Sequence, residues 1–304
     1  MKAPNISVRI LAALFVYAAT QLSAEAGLPT IEPVTSFGPF PFGDNTLPRS
    51  INSNGDIAGD NRDQDFNTQG FVRFRNGSHL IIDHPNSIPG HTNVSEINDS
   101  GLIAGGYVST QHEGLAFFLS GGTYTDVTVP GAFRTEIDGL NNAGDFCGMA
   151  DFPSNHSQPY MSIGGNVTFF RVPGVSLPFI TFVGGMNNLN QVVGSYSSEG
   201  GVHSYLRNPD GTFTFPIDYP GALHTVLLGI NDKGWMVGYY IGTEFTYHGL
   251  FVRLPTDFVA FDFPRSTYTV LSGINNQGVI CGSYVLHFGV TYGLVARVHR
   301  LSAE

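Results

Sequence analysis

Two carboxylates stand two residues apart in Thr135-Glu136-Ile137-Asp138. In an extended strand residues i and i+2 share a face and lie about 7 Å apart, a spacing at which a carboxylate pair can divide acid and base work in glycoside hydrolysis. Glu136 and Asp138 are therefore the candidate catalytic residues, and Arg49, Asn93 and Arg134 are the polar residues that the repeat described below sets beside them. The competing reading is a hydrated channel wall in which the acids ion-pair with Arg49 or Arg134. Ion-pair networks also produce such clusters, and this reading is preferred for the pair.

Histidine is the second candidate chemistry. Seven of the ten histidines, His84, His91, His112, His156, His203, His224 and His248, fall in or beside two sets of loops that share one face. Of these, His91, His203, His224 and His248 are taken as candidate ligand-binding residues. A converging set would make a metal or acid/base site. Six loops spaced around a wide rim distribute such residues instead, so no metal site and no cofactor is expected. The chain has no Gly-x-Ser-x-Gly elbow, no His-Glu-x-x-His helix, no phosphate-binding glycine loop and no EF-hand loop, which removes several enzyme classes with local signatures.

What positions these residues is a repeat. An apolar residue, Asn, two variable residues, Gly, and a second Gly four residues later recur at Asn52, Asn98, Asn141, Asn187, Asn231 and Asn275, with Asn190 in place of one Gly. Successive asparagines are 46, 43, 46, 44 and 44 residues apart, the period of one four-stranded propeller blade. Six residues before each Asn stands a threonine: Thr46, Thr92, Thr135, Thr181, Thr225 and Thr269. An inner strand of constant length explains that ruler, with the hydroxyl bonding a neighbouring loop and the Asn forming a turn. In the fifth repeat Val226 to Ile230, Trp235 to Tyr240, Gly249 to Arg253 and Phe258 to Asp262 read as strands a to d. The sixth repeat stops after strand c, and Ile31 to Phe37 stands where a strand d is needed. The expectation is an all-β, six-bladed propeller closed by its N-terminal strand, which leaves no open sheet edge.

On such inner strands the positions five and three before the Asn are Leu47 and Arg49, Asn93 and Ser95, and Glu136 and Asp138 in the first three repeats. In the last three they are Phe182 and Gly184, Val226 and Leu228, and Val270 and Ser272. Polar groups thus concentrate on half of the ring. Cys147 and Cys281 occupy equivalent places three repeats apart, on the order of 20 Å from one another, so free buried thiols are expected.

The stretches Ala222-Leu223-His224-Thr225, Gly229-Ile230-Asn231-Asp232-Lys233-Gly234, Val237-Gly238-Tyr239 and His248-Gly249-Leu250-Phe251 resemble the exported bacterial repeat family named for its His-Ala-Phe signature. That name describes a pattern and implies no reaction. Only His203 and His248 hold the signature position, read elsewhere as Gln69, Glu113, Gln158 and Tyr292.

The bulk properties set the compartment. Lys2 and Arg9, the apolar run Ile10 to Ala19 and Ala24-Glu25-Ala26 have the layout of a secretory signal peptide over residues 1–26, leaving 27–304 as a single repeat domain. No later stretch reads as a membrane span. A net charge of −10 argues against a nucleic-acid partner. The expected function is that of a secreted or periplasmic binding module for a glycan, another extracellular polymer or an envelope component. The alternative is a secreted hydrolase or lyase acting on such a polymer.

Overall fold

The computed structural model describes residues 28–299 apart from 41, 42, 112, 154, 155, 177, 255, 256, 287 and 288. The segment read as a signal peptide and His112 therefore lie outside the described residues. Those described are all β, with 25 strands and no helix.

Each sequence repeat folds as an antiparallel meander. In the fifth, His224–Ile230, Trp235–Ile241, Tyr247–Arg253 and Asp257–Phe261 pair in chain order, within a residue or two of the strands read from sequence. At four junctions among the described residues a single parallel bridge links the third strand of one meander to the first strand of the next, as at Thr68 and His91 or Val202 and His224. The N-terminal strand Thr30–Phe37 pairs antiparallel with Thr291–His299, the last strand of the chain, with Ile31 opposite Val298 and Phe37 opposite Gly293.

The motif asparagines carry both the turn and the contact between repeats. Each Oδ1 accepts backbone N–H groups of its own turn, as from Lys233 and Trp235 onto Asn231 at 3.0 and 3.1 Å. Each Nδ2 donates onward. Asn52 reaches the carbonyl of Asn98, Asn98 that of Asn141, Asn187 that of Asn231, and Asn231 that of Asn275. Asn275 donates back to the carbonyl of Asn52 at 2.9 Å. In the third repeat the amide of Asn141 donates instead to Oδ1 of Asn190 at 2.7 Å. Asn190 has φ +59°, the left-handed geometry that Asn tolerates where other repeats use Gly.

The threonines bind the other end of the inner strand. The hydroxyls of Thr92, Thr135, Thr181, Thr225 and Thr269 accept the backbone N–H of His84, Val129, Val172, Tyr219 and Phe263, each on the segment leading in from the preceding repeat. Thr46 differs and donates to Oδ1 of Asn61. With both ends bonded to neighbours the inner strand cannot change length, which is why the spacing from Thr to Asn is constant.

The apolar core lies between successive meanders. Val193, Leu206, Leu227, Met236 and Leu250 pack the fourth against the fifth, and Ile51, Ile57, Phe71, Cys281 and Val295 pack the sixth against the first. Fully burying side chains of this size contributes about 1.5–3 kcal/mol each. Cys147 and Cys281 are free and buried in separate clusters.

Candidate functional site

The inner strands are not regular. In five repeats the pairing of strand a with strand b slips at the same place, between Pro48 and Ser50, Val94 and Glu96, Val183 and Gly185, Leu227 and Gly229, and Leu271 and Gly273. In the third repeat the ladder breaks over the equivalent residues between Thr135 and Gly139, where Glu136 N and Asp138 N still bond Met149 O and Cys147 O. Such a bulge inserts a residue and re-aims the side chains around it. The position two before the Asn thereby joins the channel wall. Four repeats carry Gly there, and at Gly229 a Cβ would come within 2.7 Å of the Ser272 carbonyl on the next repeat. The first two repeats carry Ser50 and Glu96 instead.

A cavity of about 310 Å³ results, and its wall is divided. The first three repeats give all of its charged residues, Arg49, Asp60, Glu96, Glu136 and Asp138, along with Leu47 and Pro48, whereas the last three give Val183, Leu228, Val270 and Tyr268 along with Ser272 and Ser283. This is the half-polar ring read from the departures within the repeat. Below it a narrower space of about 80 Å³ runs between the asparagine turns, and Arg49, Glu96, Leu228 and Ser272 line both spaces.

The ion pairs sort the charged groups. Arg134 is paired with Glu136 and reaches Asp151 at 3.6 Å, one of the two pairings proposed for the acids. Arg49 does not serve Glu136 or Asp138. Its Nε lies 3.1 Å from Oδ2 of Asp60, a buried carboxylate whose other oxygen accepts the N–H of Val94 at 2.9 Å. Asp138 makes no ion pair or side-chain hydrogen bond among the described residues. Glu96 is hydrogen-bonded by the Ser50 hydroxyl.

Poor hydration inside the ring dominates the electrostatics. Burial, with a further contribution from Asp138, pushes Glu96 up to about 8. Burial and then the charge of Glu136 push Asp138 up to about 8, against the opposing pull of Arg49 and Arg134. Glu136 is also raised by burial, but Arg134 offsets part of the effect. Burial thus favours the protonated, hydrogen-bond-donating form of Glu96 and Asp138, whereas the Arg134 guanidinium favours the accepting carboxylate form of Glu136.

The histidines stand apart from this cavity. His203 lies between Asp218 Oδ2 at 2.8 Å and Ser198 Oγ at 3.0 Å, and His248 between Asp262 Oδ2 at 2.8 Å and Thr246 Oγ1 at 2.7 Å. In the first repeat Gln69 donates to Asp83 in the same way. Each of these ties strand c to the end of strand d. The Ser198 oxygen is also engaged by the Gly200 N–H at 3.0 Å. His224 Nδ1 accepts the N–H of Val202, and His91 is exposed with Nδ1 against the Pro89 carbonyl. The register corrects one assignment: Leu115, opposite Tyr107, occupies in the second repeat the place that Gln69, His203 and His248 hold opposite Asn61, Tyr196 and Tyr240. Glu113 lies two residues earlier, in the preceding loop, and the eight positions from Tyr107 to Leu115 equal those from Asn61 to Gln69 and from Tyr240 to His248.

The all-β meanders around a central channel define a fold of the β-propeller type, as does likeness to solved structures. AofleA from Arthrobotrys oligospora superposes with a TM-score of 0.54 at 13% identity over 90% of this chain and 90% of that one. TolB from Acinetobacter baumannii superposes with a TM-score of 0.54 at 11% identity over 80% of this chain, which spans 65% of the TolB chain. At such identities the likeness establishes the fold alone. No family model matches the chain, and no curated protein matches it.

Proposed function

We propose that this chain is an exported six-bladed β-propeller, closed by its N-terminal strand, that binds a glycan or a related envelope component in its channel. Antiparallel pairing of Thr30–Phe37 with the last strand and the Asn275 bond to Asn52 support the closure. The signal-like N-terminus and the resemblance to the His-Ala-Phe repeats support secretion or a periplasmic location, which fractionation of cells carrying the full chain tests.

The observation that carries the ligand reading is the divided wall of the channel cavity. A sugar presents hydroxyls that both donate and accept, together with apolar C–H faces. Neutral Glu96 and Asp138 donate, the Arg134-bound Glu136 accepts, and Tyr268 with Val270 and Leu228 offers an apolar surface. About 310 Å³ admits one or two sugar rings. In a binding screen of neutral and acidic oligosaccharides, Glu136→Gln and Asp138→Asn are expected to weaken the best ligand by about tenfold or more, the scale of a lost hydrogen bond to a charged group. Thr225→Val, which loses a bond to the Tyr219 backbone, lowers the melting temperature without abolishing binding. Full binding by both acid variants would end this reading.

A hydrolase or lyase on an extracellular polymer is the second reading, favoured by neutral carboxyls beside an ionised one, the division of labour that acid/base catalysis uses. Turnover of a bound polysaccharide or ester that both acid variants lose decides between binding and catalysis.

A further inference from the structure

A second cavity, about 490 Å³, lies away from the channel where the N-terminal strand, the first repeat and the sixth repeat meet. Arg73, Arg75 and Arg297 line it, and no carboxylate residue does. This runs against the composition of a chain with 14 basic and 24 acidic residues. Elsewhere Arg49, Arg134 and Arg253 are each ion-paired.

Among the described residues none of the three guanidinium groups is ion-paired, for identifiable reasons. Arg297 holds in the sixth repeat the place of Arg253 in the fifth, opposite Val279 and Trp235 respectively. Arg253 is paired with Asp257 across the outer strands. Glu32 stands opposite Arg297, but its carboxylate meets His299 Nε2 at 3.5 Å, and Arg297 makes no ion pair among the described residues. Arg73 stacks over the Phe37 ring at 4.8 Å, and burial pushes its pKa down. The nearby Asp56 is occupied by the backbone N–H of Arg75 at 3.0 Å. Arg73 is half-buried and Arg75 and Arg297 are exposed, and guanidinium forks match the paired oxygens of carboxylate, sulfate and phosphate.

We propose that this seam cavity is a binding site for a small molecule carrying oxyanion groups, clamped by Arg75 and Arg297 with Arg73 behind them. Its volume falls in the range of small-ligand sites, and Val34, Ile51, Val279 and Val295 give it apolar walls suited to an organic skeleton. The ligand would join the first and sixth repeats to the N-terminal strand, so occupancy stabilises the seam.

Calorimetric titration of the mature protein with sodium phosphate, sodium sulfate, citrate and digalacturonate tests this. Saturable binding of at least one probe is expected. Arg75→Gln and Arg297→Gln should each weaken it about tenfold, with melting temperatures of the free proteins near that of the parent. Arg253→Gln, whose guanidinium serves Asp257, should leave the affinity unchanged. Binding of citrate or digalacturonate well above phosphate and sulfate identifies an organic ligand, and equal binding identifies an inorganic oxyanion. Failure of all four probes at about 10 mM, weaker than ordinary metabolite affinities, would overturn the proposal. So would binding that survives both substitutions. Channel variants do not touch these arginines, so the two sites fail independently.

Discussion

Replacing Asp138 by Asn tests the electrostatics of the channel, because the amide has the shape of the protonated acid and cannot ionise. Folding raises the carboxyl from 3.8 to about 8, so between those values the folded chain holds a proton that the unfolded chain has released. Stability tied to that proton is complete below the unfolded pKa and is lost as pH rises through the folded one. The shift taken alone corresponds to about 6 kcal/mol. Asp138 raises Glu96 and is itself raised by Glu136, so these protons belong to a coupled set, and both side chains are only half-buried, which lets water solvate the ionised form. About 2 kcal/mol is therefore expected to be expressed for Asp138 between pH 5 and 9. In a domain of this size that is a shift of about 4–6 °C in Tm. Thermal melts across this range should show the parent losing stability toward alkaline pH and levelling off above about 8, where Asp138 is ionised in both states. Asp138→Asn should match the parent at pH 5 and exceed it at pH 9, retaining the part of the slope that belongs to Glu96. Identical slopes for the two proteins, or parent stability that rises with pH in this window, would refute the reasoning.

Asn275→Ala removes two turn bonds and the donor to the buried Asn52 carbonyl, which keeps only the Gly55 N–H. It should cost about 2–4 kcal/mol in urea unfolding, whereas Asn276→Ala on the more open ring of turns should cost about 1 kcal/mol or less. Gly238→Ala places a Cβ 1.9 Å from the Val226 carbonyl and should prevent folding or cost at least about 3 kcal/mol, while Gly234→Ala, open but with φ +70°, should cost about 1 kcal/mol. Cys147 and Cys281 are fully buried, and burial raises both thiols. A thiol reagent should modify neither in the native protein and both in denaturant, and fast native reaction would contradict the packing.

The inner strands could be read without coordinates because repetition averages out local ambiguity. Six threonines at constant distance from six asparagines require strands of one length held at both ends, and the hydrogen bonds of Thr225 and Asn231 supply those ends. The polar half of the channel was legible for the same reason, since Glu136 and Asp138 stand out against Val226 and Leu228. Glu96 was not selected because simple alternation of strand faces places position −2 away from positions −5 and −3. A bulge reverses that assignment, and its trace in the sequence is the Gly shared by four repeats and replaced here by Glu. The partner of Arg49 was equally beyond reach. Asp60 lies on the adjoining strand, and which of several acids a flexible guanidinium meets depends on approach distances that strand pairing sets. The arginines of the seam come from sequence positions more than two hundred residues apart, and no local pattern links Arg75 to Arg297. Contacts between distant parts of the chain bring them together, because the sixth repeat packs on the first and the N-terminal strand pairs with Thr291–His299.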